Sequence, residues 1–194
     1  MAQVKKEDVR NAILDATLAL VRERGYINTT MAEIARRAGI SNANIYIYFS
    51  SKLEVFFSVY RVWLEAQVAL LEARVAAARE PREQLRVLLD GLLRELPAAD
   101  NGFSNNLIQA LSTAGSDEHD SSLVTWLKQR LELLIKSAMP GLGADAARRR
   151  RFVQFLVLVF DGCVVNYRFG PELRVDKKTV TDLLNFFDDA APGA

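Results

Sequence analysis

The residues whose types could do chemistry lie close together between positions 30 and 52 of the 194-residue chain. The amide of asparagine can bond bidentately to adenine, and the apolar surface of alanine or isoleucine can meet the methyl group of thymine. Hydroxyl and ammonium groups can reach phosphates, as can the free amides at the start of a helix. The candidate contacts with double-stranded DNA are Thr30, Asn42, Ala43, Asn44, Tyr46, Ile47, Tyr48 and Lys52.

Helix signals surround these residues. Thr30 followed by Glu33 fits a capping box, in which the two side chains satisfy free backbone amides at the start of a helix. Gly39 then supplies a turn, and Ser41 is a good N-cap for a further helix. A short helix, a tight turn and a second short helix form a helix-turn-helix, whose second helix enters the major groove of DNA.

The stretch from Ile45 to Phe49 is ambiguous, because β-branched and aromatic residues are typical of strands. On a helix that begins after the preceding N-cap, Ile45 and Phe49 lie four residues apart and face inward together. Ser51 and Glu54 fit a second capping box, which predicts that another helix begins at about Lys52. The helical interpretation is favoured. The bare motif is loosely specified, so a structural corner that does not bind DNA is the alternative.

The segment from Ile13 to Lys52 closely resembles the DNA-binding segment of TetR-family transcriptional regulators. The matching residues are Ile13, Leu14, Ala16, Gly25, Tyr26, Thr29, Thr30, Ile34, Ala35, Ala38, Gly39, Ile40, Ser41, Ile45, Tyr46, Tyr48, Phe49, Ser51 and Lys52. Two positions depart from the family pattern: Ala43 stands where glycine is common, and Leu53 where an acidic residue is common. The first departure can alter how closely the second helix approaches DNA.

The resemblance implies an all-α protein with two domains. Residues 1–51 would form a three-helix helix-turn-helix DNA-binding domain, and residues 52–194 a larger helical domain for effector binding and dimerisation. The periodicity of apolar residues predicts nine helices and no strand. Their predicted ranges are up to 24, 30–38, 42–49, 53–79, 81–96, 103–114, 117–139, 144–169 and 177–190.

Composition limits the functional classes. Residues 1–52 hold eight Lys and Arg against five Asp and Glu, a net charge of +3, which is a modest indication of a polyanionic partner. One cysteine allows no internal disulfide, and no run of about 18 uncharged apolar residues indicates a membrane span. No catalytic constellation stands out around the single histidine. We therefore expect a cytoplasmic protein that is not an enzyme and carries no metal or other cofactor.

We call residues 1–51 the head and residues 52–194 the body. In the family that the head resembles, the body binds a small effector and the last two long helices dimerise. The resemblance thus implies a homodimeric repressor that a small, largely apolar effector releases from a pseudo-palindromic operator. Candidate effector contacts are Phe103, Leu107, Trp126, Arg130, Phe160 and Tyr167. The apolar faces of 152–169 and 177–190 are the expected dimer interface, with Val157 and Phe187 as test positions. The alternative is that 152–169 is only the core helix of a monomer.

Two residues of this apolar helix have open roles. Asp161 could orient an effector, but the favoured interpretation places it at a solvent edge together with Gln154 and Arg168, seven residues away on either side. Cys163 is expected to be a small buried hydrophobe rather than a redox sensor.

Two charged runs also allow more than one interpretation. Residues 116–120, which include His119, read as an acidic first turn of a helix rather than a metal site. The arginines from Arg148 to Arg151 cannot share one helix face, so we expect ion pairs and buried stems to absorb the run. An anionic effector or a partner chain is the minority interpretation of these arginines.

Two other functional classes fit the same residues. One is a DNA-binding protein of the same fold that a protein partner controls, or that acts architecturally, without a small ligand. The other is a helical ligand-binding or enzymatic bundle whose head does not bind DNA. An enclosed pocket in the body would favour a ligand-controlled protein, and convergent polar groups with perturbed pKa values would favour an enzyme.

Overall fold

The computed structural model describes residues 2–100, 102–113 and 121–189, and every regular element in these ranges is helical. The α-helices are α1 (Ala2–Arg24), α2 (Met31–Arg37), α3 (Asn42–Ile45), α4 (Lys52–Ala77), α5 (Pro81–Asp90), α6 (Leu96–Ala99), α7 (Phe103–Thr113), α8 (Ser122–Ala138), α9 (Pro140–Gly143), α10 (Ala146–Phe169) and α11 (Lys177–Asp189). The predicted all-α class is confirmed. The short helices α6 and α9 are additions to the predicted set.

The chain forms two compact units. Unit 1 comprises Met1–Glu65 and Asn101–His119, and unit 2 comprises Ala66–Asp100 and Asp120–Ala194. The helix α4 therefore contributes residues to both units. The division into 1–51 and 52–194 expected from the sequence concerns function, and it stays a prediction.

Unit 1 is built on the inward faces of its first helices. In it α2 packs on α1 and α3 packs on α2. The buried apolar side chains that form this core are Ile13, Ala16, Leu20, Met31, Ile34, Ala35, Ile45, Phe49 and Val55. Their spacing of three and four residues within α1 and α2 is the spacing of one helix face, which explains why the sequence pattern was sufficient to place these helices.

Unit 2 is a helical bundle in which α8 packs against α5 and α10, and α11 packs against α5. The buried faces of these helices are formed mainly by leucine, isoleucine, valine and phenylalanine, as in Leu88, Leu131, Ile135, Val153 and Leu184. Burial of a side chain of this size contributes roughly 1.5–3 kcal/mol. The bundle is thus held mainly by apolar packing between helices that are distant in sequence.

A π-helical segment, Gly91–Glu95, lies between α5 and α6. The sequence predicted that the helix ends at Leu96, but it continues to Ala99. The Leu96 amide donates to the Gly91 carbonyl five residues earlier. Proline at position 97 has no amide to donate and would crowd a carbonyl in a regular α-helix. The wider π turn lets the chain stay helical through this proline. The sequence predicts an end at residue 96 because proline usually breaks a helix.

Gly91 lies where the end of α5 packs closely against α4. A Cβ atom at this position would overlap the Cδ1 atom of Leu71 on α4 and would lie 3.3 Å from its Cδ2 atom. Leu71 is fully buried, so its side chain has little room to move away. The absence of a side chain at Gly91 therefore lets α4 pack closely against the end of α5.

We predict that Gly91→Ala lowers the free energy of unfolding by about 1–3 kcal/mol, because overpacking in a buried site forces strained rotamers or backbone shifts. Thermal and urea denaturation of the purified chain measure this loss. Gly141→Ala is the matched control, since a Cβ there meets no atom within 4 Å. Equal stability of the two variants would contradict the tight Gly91–Leu71 packing.

Candidate nucleic-acid interface

The start of α2 is fixed by the predicted capping box. The Thr30 hydroxyl accepts from the Glu33 amide at 3.3 Å, and the Glu33 carboxylate accepts from the Thr30 amide at 3.0 Å. The Thr30 hydroxyl also donates to this carboxylate at 2.8 Å, and this bond is the largest cause holding the pKa of Glu33 below its usual range. Arg24 donates to the same carboxylate at 2.7 Å. Thr30 is exposed, but its hydroxyl and its amide are already hydrogen-bonded to Glu33 at the start of the helix.

The helix α3 begins as predicted, and it ends earlier. Ser41 is its N-cap, and its side chain accepts from the Asn44 amide at 3.2 Å. Regular helix stops at Ile45, after which the chain continues in tight turns to Phe49 rather than in a regular helix. Ile45 and Phe49 are nevertheless 0% and 2% exposed, so the predicted inward pair is confirmed.

The outward face of α3 and its following turn carries the predicted base-reading residues. Asn42, Ala43 and Asn44 are exposed, and Tyr46 and Ile47 expose 52% and 66% of their surface. Isolated exposed isoleucine and tyrosine are common, but here they are adjacent to two asparagines on the second helix of a helix-turn-helix. Tyr48 differs from this set, because it is half-buried against the core of unit 1.

Lys52, which the sequence predicts to contact a phosphate, also contacts Tyr26. Its Nζ atom donates to the Tyr26 carbonyl at 3.0 Å and lies 4.1 Å from the centroid of the Tyr26 ring. Partial burial lowers the pKa of the Lys52 ammonium. An ammonium group has three hydrogens, so this contact leaves donors that can reach a phosphate.

Tyr26, in the turn between α1 and α2, is held from a second side by α7. The Asn106 side-chain oxygen accepts from the Tyr26 amide at 2.7 Å, and its nitrogen donates to the Gly102 carbonyl at 2.8 Å. The Tyr26 ring packs edge-on against Phe56 with the centroids 5.2 Å apart. Sequence reasoning missed this anchor, since Tyr26 and Asn106 are 80 residues apart and no local pattern links them.

The domain pattern described as bacterial regulatory proteins of the tetR family matches residues 13–59. This range contains the capping box, the α2–α3 turn, the outward face of α3 and the start of α4. In this range the chain resembles the DNA-binding domain of the TetR family.

Individual TetR-family proteins resemble the chain to different extents. The HTH-type transcriptional regulator BetI of Burkholderia ambifaria is 35% identical over 91 residues, which are 46% of this chain and 47% of BetI. The HTH-type transcriptional repressor BepR of Brucella suis is 28% identical over 134 residues, 68% of this chain and 56% of BepR. The matched part thus spans about half the length of these relatives.

A likeness in fold extends over most of the chain. The crystal structure of Thermus thermophilus FadR, a TetR-family transcriptional repressor in complex with lauroyl-CoA, superposes with a TM-score of 0.65. The match covers 95% of this chain and all of the FadR chain at 21% sequence identity. At this identity the likeness establishes the common fold.

The six predicted effector contacts fall in both units. Unit 1 contains Phe103 and Leu107, and unit 2 contains the other four. Phe103 is 3% exposed and stacks on Trp63 with the centroids 5.4 Å apart, so it is part of an aromatic core.

In unit 2 the predicted effector residues have diverse surroundings. Phe160 is 3% exposed, and Trp126 is half-buried. The Arg130 guanidinium is already paired with Glu72, with Nε 2.6 Å from Oε1. Tyr167 lies under Arg174, whose Cζ atom is 3.9 Å from the ring centroid. The effector role of all six residues stays a prediction.

The two test positions for dimerisation are buried and half-buried in the single chain, and their interface role stays a prediction. Val157 is only 6% exposed and belongs to the core of unit 2, because α10 turns this face toward its own chain. Phe187 is half-buried against Phe152, with the ring centroids 5.8 Å apart. The outward apolar residues of α10 are instead Phe155, Leu158, Val165 and Phe169, which expose between 38% and 72% of their surface.

The polar residues of α10 follow the favoured interpretation. Gln154, Asp161 and Arg168 are all exposed in the single chain. Desolvation still raises the pKa of the Asp161 carboxyl. Cys163 is half-buried, and burial raises the pKa of its thiol, which makes it a poor nucleophile.

Of the two charged runs, only the arginines from Arg148 to Arg151 lie within the described residues. Arg149 forms an ion pair with Glu132 at 3.7 Å, as expected for part of the arginine run, whereas Arg148, Arg150 and Arg151 are exposed. Residues 116–120 lie outside the described residues. In the part of the chain that is described, no three His, Cys, Asp or Glu side chains come together as a metal site.

We predict that Asn106→Ala loosens the turn at Tyr26. Loss of the acceptor leaves a partly buried backbone amide without its partner, which costs about 1–3 kcal/mol. Amide hydrogen exchange measured by NMR should become faster at Tyr26. Asn105→Ala, at an exposed position of the same helix, is the control and should leave this exchange unchanged. Unchanged exchange in Asn106→Ala would show that the side chain does not hold the turn.

Proposed function

We propose that the chain is a sequence-specific DNA-binding transcriptional regulator that represses as a homodimer and is released from its operator by a small effector. The observation that carries the proposal is the outward face of α3, where Asn42, Asn44, Tyr46 and Ile47 are exposed next to a fixed turn. These side chains are not part of the apolar core of unit 1. They do have the chemistry that reads base edges in the major groove.

Within this proposal the head separates two kinds of contact. Asn44, together with Asn42, touches base edges and distinguishes sequences, while Ala43 and Ile47 meet thymine methyl groups. Tyr46, Tyr48, Lys52 and the amides that follow Thr30 contact phosphates, which position the head without reading sequence.

Dimerisation is supported by the two-sided apolar character of α10. One side of the helix packs in the core of unit 2 through Val153, Val157 and Val164. The other side is exposed, and only 28% of the most apolar 18-residue stretch of α10 is buried within the chain. By length and composition alone this helix could also cross a membrane. A second copy covers the face more simply, because an operator read by such heads has two half-sites and a two-fold dimer presents two heads.

The effector is the part of the proposal that rests on similarity alone. BepR is named a repressor, and the FadR structure of the same fold contains lauroyl-CoA, an acyl chain on an anionic carrier. We infer for this chain an effector with a substantial apolar portion that binds in the helical body. Binding would shift α4, which leads from the head into the bundle, and would thereby lower the affinity for the operator.

We predict that Asn44→Ala costs about 1–3 kcal/mol of binding free energy on the operator and relaxes the preference at one half-site position. Binding to a scrambled duplex should hardly change, because no base-specific contact exists there to lose. Fluorescence anisotropy titrations on both duplexes measure the two affinities. An equal loss on both would contradict base reading by Asn44.

Lys52→Ala is the contrasting variant. It should weaken binding to both duplexes about equally and reduce the slope of log affinity against log salt by roughly one unit. The variant must be checked for a lowered melting temperature, since Lys52 also holds Tyr26. A sequence-dependent loss in Lys52→Ala would reverse the assignment of reading and positioning.

We predict that Leu158→Glu converts the dimer to monomers, because the charge would have to be buried without a partner in the interface. Sedimentation velocity measures the change, and circular dichroism checks that the monomer is folded. Leu133→Glu on α8 is the control, since Leu133 and Leu158 are 59% and 60% exposed. A folded Leu158→Glu dimer would place the interface elsewhere. A charge at the buried Val157 should unfold the chain instead.

A further inference from the structure

Unit 2 contains a groove that none of the six predicted effector contacts lines. It lies where α5 begins, α8 ends, α9 crosses, α10 begins and α11 ends, and its volume is about 770 Å³. This volume is within the range of small-molecule sites in proteins. Its apolar wall includes Leu85, Met139, Leu142, Phe152 and Phe187. A ligand in the groove would therefore meet mostly hydrocarbon and aromatic surface.

Three arginines and one aspartate also line the groove: Arg82, Arg148, Arg151 and Asp188. Arg82 is already engaged, because its Nε atom donates to Asp188 at 2.7 Å and its Nη2 atom donates to Asn185 at 3.0 Å. This pair leaves the wall with a surplus of two positive charges, on Arg148 and Arg151.

Arg148 and Arg151 are three residues apart on α10, so their side chains lie on the same side of the helix. Within the described part of the chain, neither guanidinium has a carboxylate within ion-pairing distance. The bond from the Arg148 amide is the largest cause lowering the pKa of the Asp145 carboxyl, and the charges of Arg151 and Arg148 lower this pKa further. One oxygen of this carboxyl is engaged at the start of α10. That oxygen accepts from the amides of Ala147 and Arg148 at 2.9 and 3.0 Å.

The other two arginines of the run are not part of this wall. Arg149 pairs with Glu132, and Arg150 is exposed outside the groove. The run therefore divides by helix geometry into one ion-paired residue, one solvent-exposed residue and two residues at an apolar groove. Two adjacent guanidinium groups at the edge of an apolar surface match the chemistry of an anionic head group joined to an apolar body.

We propose that this groove binds an amphiphilic anion, with a carboxylate or phosphate group held between Arg148 and Arg151 and an apolar body lying on Leu85, Phe152 and Phe187. Arginine binds both kinds of oxyanion through charge-assisted hydrogen bonds. The apolar wall gives no such bonds and favours the hydrocarbon part through burial. The site needs neither DNA binding nor the six predicted effector contacts, so it stands independently of the proposed regulatory function.

The experiment uses the full chain and four probes with the same ten-carbon tail, below their micellar concentrations. Isothermal titration calorimetry compares decanoate and decyl phosphate with decanol and decylamine. Both anions should bind, and the alcohol and the amine should bind at least roughly tenfold more weakly. The ratio between the two anions tells whether a carboxylate or a phosphate suits the arginines better. Inorganic phosphate alone should bind much more weakly than decyl phosphate, because it leaves the apolar wall uncovered.

The double variant Arg148→Gln, Arg151→Gln should weaken binding of the preferred anion by roughly tenfold or more. Arg150→Gln is the matched control, since it removes one positive charge from the same helix outside the groove, and it should change affinity less than about twofold. All three positions are exposed, so the variants should keep the melting temperature of the parent chain.

Three results would overturn the proposal. One is equal affinity of the parent chain and the double variant for both anions. Another is an equal loss in Arg150→Gln, which would indicate general electrostatic attraction instead of a site. The third is binding of decanol as tightly as decanoate, which would make the arginines irrelevant to the ligand.

Discussion

The head of this protein depends on how the turn at Tyr26 is held. Its backbone amide donates to Asn106 on α7, its carbonyl accepts from Lys52 at the start of α4, and its ring packs on Phe56. Two separate helices, α4 and α7, thus fix one residue between α1 and α2 through three contacts. A groove-reading helix must be placed to within a fraction of an ångström to form bidentate bonds, so a rigid base under α2 and α3 is a physical requirement of reading.

The same anchor explains why Lys52 is more than a point charge at a helix start. Desolvation lowers the pKa of its ammonium, and the carbonyl and the aromatic face of Tyr26 compensate for part of the lost hydration. The contacts with Tyr26 therefore hold the Lys52 ammonium in a fixed position, in which it could donate to a phosphate. The side chain that we propose to position the head on DNA therefore also stabilises the head, and the two roles have to be separated by measuring both.

The helix α10 has three different surfaces, although most of its residues are apolar. One face packs in the core of unit 2, the opposite face is uncovered in the single chain, and the arginine-rich first turns border an apolar groove. A helix of this kind cannot be interpreted from hydrophobicity alone, because burial by its own chain, by a second copy or by a ligand produces the same residue types. What distinguishes them is which neighbours occupy each side.

The sequence by itself determined the local structure of the head. The caps at Thr30, Ser41 and Ser51 depend on bonds between residues three or four apart, and the inward pair Ile45 and Phe49 depends on the helical period. Interactions of such short range depend only on the local sequence, and for that reason the sequence alone predicts the all-α class and the family resemblance.

The tertiary structure decided everything that depends on which distant residues meet. Asn106 reaches Tyr26 across 80 residues, and Val157 is buried while its neighbour Leu158 is 60% exposed. The helix also continues through Pro97 because a π turn precedes it. When apolar residues cover most of a helix circumference, the sequence does not tell which side of the helix faces the core. Segments that are distant in sequence also come into contact without any local sequence pattern that predicts it. Only the packed chain fixes these choices.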